Sequence, residues 1–300
     1  MSGIIYHYTN AQGLLGILDK KNDDITLWFT HYKYLNDSSE GVELQRIYQI
    51  VIHEMYEKEE LSEEDYQSIK SMQFEDKHIY AYTILDDNEP LTHVKSREDD
   101  AYICCFSKNG DSLNMWRYYS KKDTGYAVGL FDYSMRSATK IESFSPNETR
   151  IGKFTWNDVI YDDEEKHKTI YKEIKTEMQK LRESGLPNKE NLYTAIHGSL
   201  LKHKFFFKHN CFHEEEEVRC VLTIPQNNDT FTAKTPYDVL YRTRNGIITP
   251  YVKVPFKKKS LHSVTVAPTA PEEAKETIEK YLKSYGSNAP VQKSQLPIRF

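Results

Sequence analysis

Residues 212–222 read Phe-His-Glu-Glu-Glu-Glu-Val-Arg-Cys-Val-Leu, four carboxylates running straight into an apolar, β-prone segment. If Glu215 to Leu222 is one strand, alternate side chains share a face. Glu215, Glu217, Arg219 and Val221 then lie on one side, and Glu216, Val218, Cys220 and Leu222 on the other. Glutamate is depleted in strands, so two carboxylates and an arginine on one face resemble the floor of a polar cleft. Such a set has definite chemistry. One carboxylate can stabilise a developing cation, and its neighbour can take a proton. The guanidinium can hold either carboxylate, or a phosphate, with two bonds. Two steps along a strand separate the carboxylates by roughly 7 Å. An edge strand with its charges facing water is written in the same letters.

Three further segments combine aromatic and polar groups. Tyr6-His7-Tyr8-Thr9 sets His7 on one strand face with Ile5 and Thr9. A lone histidine is commonly a hydrogen-bonded structural residue, and the nearby Thr9 shifts the balance toward a ligand-binding edge. Leu27-Trp28-Phe29-Thr30 reads as a second strand, followed by a polar turn at Leu35-Asn36-Asp37. Trp28 fits a core as well as a stacking platform. Ser112 to Tyr119 reads as a short helix, with Met115 a core residue and Trp116 and Tyr119 less committed to one. His203, His209 and His213 lie near the acidic run, but a metal site would need helix and strand to meet with ligand geometry, and no metal is expected. Phosphate-loop, dinucleotide, zincin and nucleophile-elbow signatures are absent.

The elements that must position these residues follow from periodicity. Strands are expected at Ile4–Thr9, Thr26–Thr30, Ala101–Ser107, Gly125–Phe131, Glu215–Leu222, Tyr251–Val254 and Ser263–Val266. Asn10 is placed to cap a helix over Ala11–Leu18. Leu44, Ile47, Tyr48, Val51 and Met55 recur at helical spacing, Ser62 to Asp65 is a capping signal, and residues 162–184 form the clearest helix. Another helix is expected from Leu192 to Lys208, and a last one from Thr269 to Gly286. Residues 75–100 alternate only weakly around an acidic loop at Asp86 to Pro90. With no linker and no regular βαβ rhythm, the expectation is one α+β domain over 1–300, with helical insertions near 41–74 and 162–208.

A net charge of −5 over 300 residues excludes a global basic field, although a local basic groove remains open. The 22 tyrosines mean that much of the buried area must come from aromatics with a polar tip. Cys104, Cys105, Cys211 and Cys220 lack C-x-x-C spacing and read as free thiols. No leader pattern opens the chain and no run nears 18 apolar residues, so a cytoplasmic protein with no membrane contact is expected.

In order, these segments resemble a bacterial family listed as a domain of unknown function. The pattern runs through Tyr6-His7-Tyr8-Thr9, Thr30 and Leu35-Asn36-Asp37, then Ser107, Ser112, Met115-Trp116, Tyr119 and Gly125 to Gly129. It continues with Phe212, Glu215, Glu217 and Arg219, and closes with Val264 to Pro268 and Ser294 to Arg299. Phe212 stands where tryptophan is usual, and Ala267 where glycine is common. That family is similar in turn to ADP-ribosyltransferases, including phage-defence toxins that modify RNA. The resemblance implies a split mixed sheet with NAD as substrate. It implies Glu217 and Glu215 as catalytic residues. His7, Tyr8, Thr9, Trp28, Thr30, Asn36, Trp116, Tyr119 and Arg219 would contact NAD. It further implies an RNA acceptor and a cognate antitoxin protein as partner. A protein-directed transferase, a non-catalytic nucleotide- or partner-binding module, and a metal-dependent nuclease built on Glu215, Glu217 and His213 stay open beside it.

Overall fold

Eighteen residues of one strand, Pro90–Ser107, tie the molecule together. The computed structural model describes residues 3–35, 41–74, 77–85, 90–119, 125–139, 152–185, 189–226, 237–244 and 246–297. Its first elements are β1 (Ile4–Thr9), α1 (Ala11–Ile17) and β2 (Ile25–His31). The Asn10 side chain accepts from the Gly13 amide, the capping bond expected of an asparagine there. Next come α2 (Val42–Glu57), α3 (Glu63–Ile69), β3 (Lys77–Leu85), β4 (Pro90–Ser107), α4 (Leu113–Tyr119), β5 (Tyr126–Phe131) and α5 (Asp132–Ala138). They are followed by β6 (Lys153–Asp158), α6 (Asp163–Ser184), α7 (Lys189–Leu200), β7 (Glu217–Pro225), β8 (Val239–Arg244), β9 (Ile247–Phe256), β10 (Leu261–Val266), α8 (Glu272–Tyr285) and β11 (Val291–Lys293).

The strands form one mixed sheet in the order β11-β10-β5-β1-β4-β2-β9-β8, with β3 and β7 also on β4 and β6 on β7. Among the described strands only β10 and β11 pair in parallel. The α+β expectation therefore holds for the described residues. Within residues 75–100, where the sequence alternates only weakly, Lys77–Leu85 and Pro90–Glu98 pair as β3 and β4. A weak alternation sufficed because the partner strand is adjacent in sequence.

The centre of the sheet is split. Along its 99–107 half, β4 gives one edge to β7, so β1 and β2 must share the other. β1 joins it at Ser107 and β2 at Tyr102 and Ile103. Between those two attachments the Cys105 carbonyl accepts a bond from the His7 ring at 2.9 Å. A side chain thus satisfies a backbone group that the diverging strands leave unpaired.

One face of the sheet buries Ile5, Leu27, Phe29, Phe106, Val218, Leu222 and Val254 under α1 and α8. Each such side chain contributes roughly 1.5–3 kcal/mol. A second apolar cluster joins α2, α3, α6 and α7 through Leu44, Ile47, Val51, Met55, Ile170 and Ile174, the stripes that the helical spacing marked. The helix expected to reach Lys208 ends at Leu200 and gives way to a tighter turn over Leu201–Phe205. No helix among the described residues is long and apolar enough to cross a membrane. All four cysteines are free.

Candidate active site

β7 lies between β4 and β6, with Ser107 opposite Glu217, Cys105 opposite Arg219 and Ile103 opposite Val221. Its alternation is as expected from Glu217 onward. Val218, Cys220 and Leu222 enter the main core, while Val221 packs on the opposite face with Ile103, Tyr32 and Phe206.

Glu215 departs from that pattern. It closes a short turn over Asn210–Glu215, and the strand begins only at Glu217. Glu216 between them is left-handed, with φ 44°. A non-glycine residue there costs on the order of 1 kcal/mol. Two bonds hold it: its amide donates to the His213 carbonyl at 3.1 Å, and its carbonyl accepts from the Lys108 amide at 3.0 Å. The kink returns Glu215 to the neighbourhood of Glu217 by a route that strand alternation does not describe.

Lys208 joins the two carboxylates. Its ammonium donates to Glu215 Oε2 at 2.7 Å and to Glu217 Oε2 at 3.3 Å, over the Phe212 ring. Arg219 donates to Glu217 Oε2 at 3.0 Å and to the Phe205 carbonyl at 2.8 Å. Two cations and two anions thus form one network, and every member is buried. Lys208 is held in place by its own amide, which donates to the Ile160 carbonyl, and by the bridge pairing Ile160 with Phe207. The Tyr161 hydroxyl accepts from the Glu217 amide at 3.0 Å.

The two carboxyls are driven apart. Burial raises Glu217, but the charges of Arg219 and Lys208, with bonds from Arg219 and the Cys105 thiol, outweigh it and hold the group at about 2. Burial raises Glu215 as well, and there it wins: Lys208 opposes it, but the Glu217 charge adds to it. Tyr119 and Tyr161 are both raised, by burial first and then by these two carboxylates, so they stand beside the pair as neutral hydroxyls.

The remaining expected residues fall into three groups. Tyr8 donates to the Asn109 carbonyl, accepts from the Ser112 amide, and stands edge-on to Trp116 at 4.8 Å, which sets the start of α4. Trp116 is buried and donates to Asp111. Trp28 and Thr30 lie on β2 beside Tyr251 and Arg242. The Trp28 ring packs against Gly16 so closely that an added Cβ would meet it at 2.7 Å. His7 and Thr9 form the third group. β1 turns Tyr6 toward the face of Ser107 and Glu217, so His7 points the other way and meets Cys104 and Phe106. Burial lowers the His7 ring, and its Nδ1 donates to Cys105. Thr9 abuts Gly13 of α1. Asn36 lies outside the described residues.

Glu215, Glu217, Arg219 and Tyr119 therefore meet, Trp28 and Thr30 lie farther along the same face, and His7 plugs the split from behind. Sequence reasoning did not single out Lys208, Tyr161, Cys105 or Arg242. The basic alternation Arg242, Arg244 within a strand-like run was a usable signal for the last. Among the described residues no cluster of His, Cys, Asp and Glu could hold a metal ion.

A family model described as "Protein of unknown function (DUF2971)" matches residues 115–220, the stretch from α4 into β7 that contains the whole charged network. Nothing matches the chain among curated proteins or solved structures.

Proposed function

We propose that the chain is an NAD-dependent ADP-ribosyltransferase in which Glu217 stabilises the oxocarbenium-like ribosyl cation and Glu215 serves the acceptor. The observation that carries it is the arrangement of the two carboxylates, Glu217 bonded by both Arg219 and Lys208 and Glu215 by Lys208 alone, with which the first carboxyl is lowered and the second raised. Paired groups pushed apart in this way divide into a permanent anion and a proton carrier. Breaking the nicotinamide–ribose bond needs both: a fixed negative charge beside the developing cation, and a base for the incoming nucleophile. A split sheet with Trp28 and Thr30 on the same face supports the reading. The RNA acceptor and the antitoxin partner rest on the family resemblance.

Nicotinamide release from NAD is the direct test. Wild type should release it, and Glu217→Gln should lose at least a hundredfold of the rate per folded molecule. Absence of release by wild type, with and without added RNA, sinks the proposal.

A second reading has its own observation. Arg219, Glu217, Lys208 and Glu215 are 1%, 3%, 4% and 6% exposed, and their charges cancel. A closed, balanced network also suits a non-catalytic binding module. NAD that raises the unfolding temperature without releasing nicotinamide would favour it.

A further inference from the structure

On the far wing of the sheet, Arg242 of β8 lies 4.9 Å above the Trp28 ring and 5.0 Å from the Tyr251 ring. Its Nη2 donates to the Thr30 hydroxyl at 2.8 Å. That is an uncharged partner, and its Nε is buried with no acceptor. Nε1 of the indole it stacks on is likewise a buried donor without a partner. Buried donors are almost always bonded, so two orphans on stacked side chains mark a place where an acceptor belongs.

The surrounding charge says which acceptor. Residues 239–256 contain Arg242, Arg244 and Lys253 and not one Asp or Glu. Lys253 stands 5.7 Å over the same indole. Burial and the Arg244 charge both hold the Arg242 guanidinium below its ordinary value, a strain that an anion would relieve. Every buried cation of the network around Glu217 has a carboxylate, and Arg242 has none among the described residues. A water could satisfy one orphan but would not offset the charge. Arg242 is only half-buried, so an anion can reach it.

We infer that Arg242, with Thr30, Trp28 and Lys253, forms a subsite for a phosphoryl group. A planar fork and a further cation, Lys253, suit a multiply charged tetrahedral oxyanion better than a single carboxylate. The phosphoryl group could belong to a small phosphorylated ligand or to a polynucleotide backbone. The chemistry at Arg242 is shared, and the subsite stands whether or not the chain transfers ADP-ribose.

Binding of sodium pyrophosphate, ADP-ribose and a short single-stranded oligouridylate to the full chain tests this. Each is titrated by thermal unfolding and by equilibrium dialysis, against sodium chloride at matched ionic strength. Wild type should bind at least one of the three. Arg242→Gln should weaken that binding at least tenfold, and Arg242→Lys should fall between, because a point charge replaces the fork. Should Arg242→Gln fail to fold, Arg242→Lys and Thr30→Val carry the comparison: the first weakens binding and the second, which leaves the guanidinium in place, does not abolish it. Pyrophosphate or ADP-ribose binding alone assigns a small ligand, and tighter oligouridylate binding assigns a polynucleotide. No binding beyond the chloride control, or equal binding by Arg242→Gln and wild type, overturns the subsite.

Discussion

Two charge networks of two acids and two bases, one enclosed and one half open to water, serve as controls for each other. In the helical unit, Lys166 donates to Glu43 at 2.7 Å and to Asp163 at 3.1 Å, and Arg46 bonds both acids. At the sheet, Lys208 and Arg219 meet Glu215 and Glu217. Each has two acids and two bases. In the helical network both carboxyls end below their usual range. Burial raises Glu43 but the Arg46 and Lys166 bonds outweigh it; at Asp163 the Arg46 bond is the largest influence, and Arg46 and Asp163 keep contact with water. At the sheet all four groups are enclosed, and one carboxyl ends low while the other ends high. The difference lies in spacing around a shared cation. Glu43 is bonded by two cations, whereas Glu215 is bonded by Lys208 alone and shares it with a carboxylate that also holds Arg219. An arrangement built only for cohesion has no reason to leave one acid short.

The sharpest way to break that contrast is to remove one charge from each network. Glu217→Gln leaves Arg219 without a carboxylate and Lys208 with Glu215 alone, and losing one member of a buried pair costs about 3–5 kcal/mol. Glutamine keeps the shape, but the buried cations make this a heavier change than its size suggests. Glu43→Gln leaves both Lys166 and Arg46 bonded to Asp163 and should cost no more than that in urea unfolding. Nicotinamide release per folded molecule should then separate them: at least a hundredfold lower in Glu217→Gln, and unchanged in Glu43→Gln. Equal activity losses in the two would make both networks structural.

A smaller effect divides the sheet network internally. Only transfer needs a positioned nucleophile, so Glu215→Gln should weaken transfer to an acceptor more than slow hydrolysis of NAD by water. A loss of transfer on the order of a hundredfold or more is expected for a missing general base. Labelled NAD resolves both products in one assay. Proportional loss of the two would leave Glu215 with no separate role.

Period-two alternation made Glu217, Arg219 and the core side of β7 legible in the sequence, because a strand with one apolar face has little choice of register. The same argument placed Glu215 beside Glu217 for the wrong reason. It assumed extended backbone through Glu216, where the chain is left-handed. Lys208 was hidden because Leu192 to Lys208 reads as one more amphipathic helix, and nothing local says that it stops at Leu200. Its position depends on a bridge between Ile160 and Phe207, nearly fifty residues apart. His7 was legible as a polar residue on a strand, but which way it points depends on where β1 meets β4, at Ser107. Tertiary pairing, not local pattern, decides such cases.

The smallest effect is one of sign. A carboxyl lowered on folding lends stability that is present above its unfolded value, near 4.5, and lost as pH falls through its folded value. Glu43 and Glu217 are of this kind, and for Glu217 the loss extends down to about pH 2. Glu215 is raised, so it costs stability at neutral pH. As pH falls toward 4.5 the folded chain binds its proton first, and stability rises. Between pH 7 and 4.5 the wild type should therefore gain on Glu215→Gln. Below 4.5 it should lose its advantage over Glu43→Gln. Neither slope can exceed about 1.4 kcal/mol per pH unit for one proton. Urea unfolding of wild type and both variants at half-unit pH steps measures the two differences. Opposite slopes keep the two networks distinct. If the Glu215→Gln difference instead shrinks on acidification as the Glu43→Gln difference does, Glu215 is an ordinary paired carboxylate, and the division of roles with Glu217 loses its physical basis.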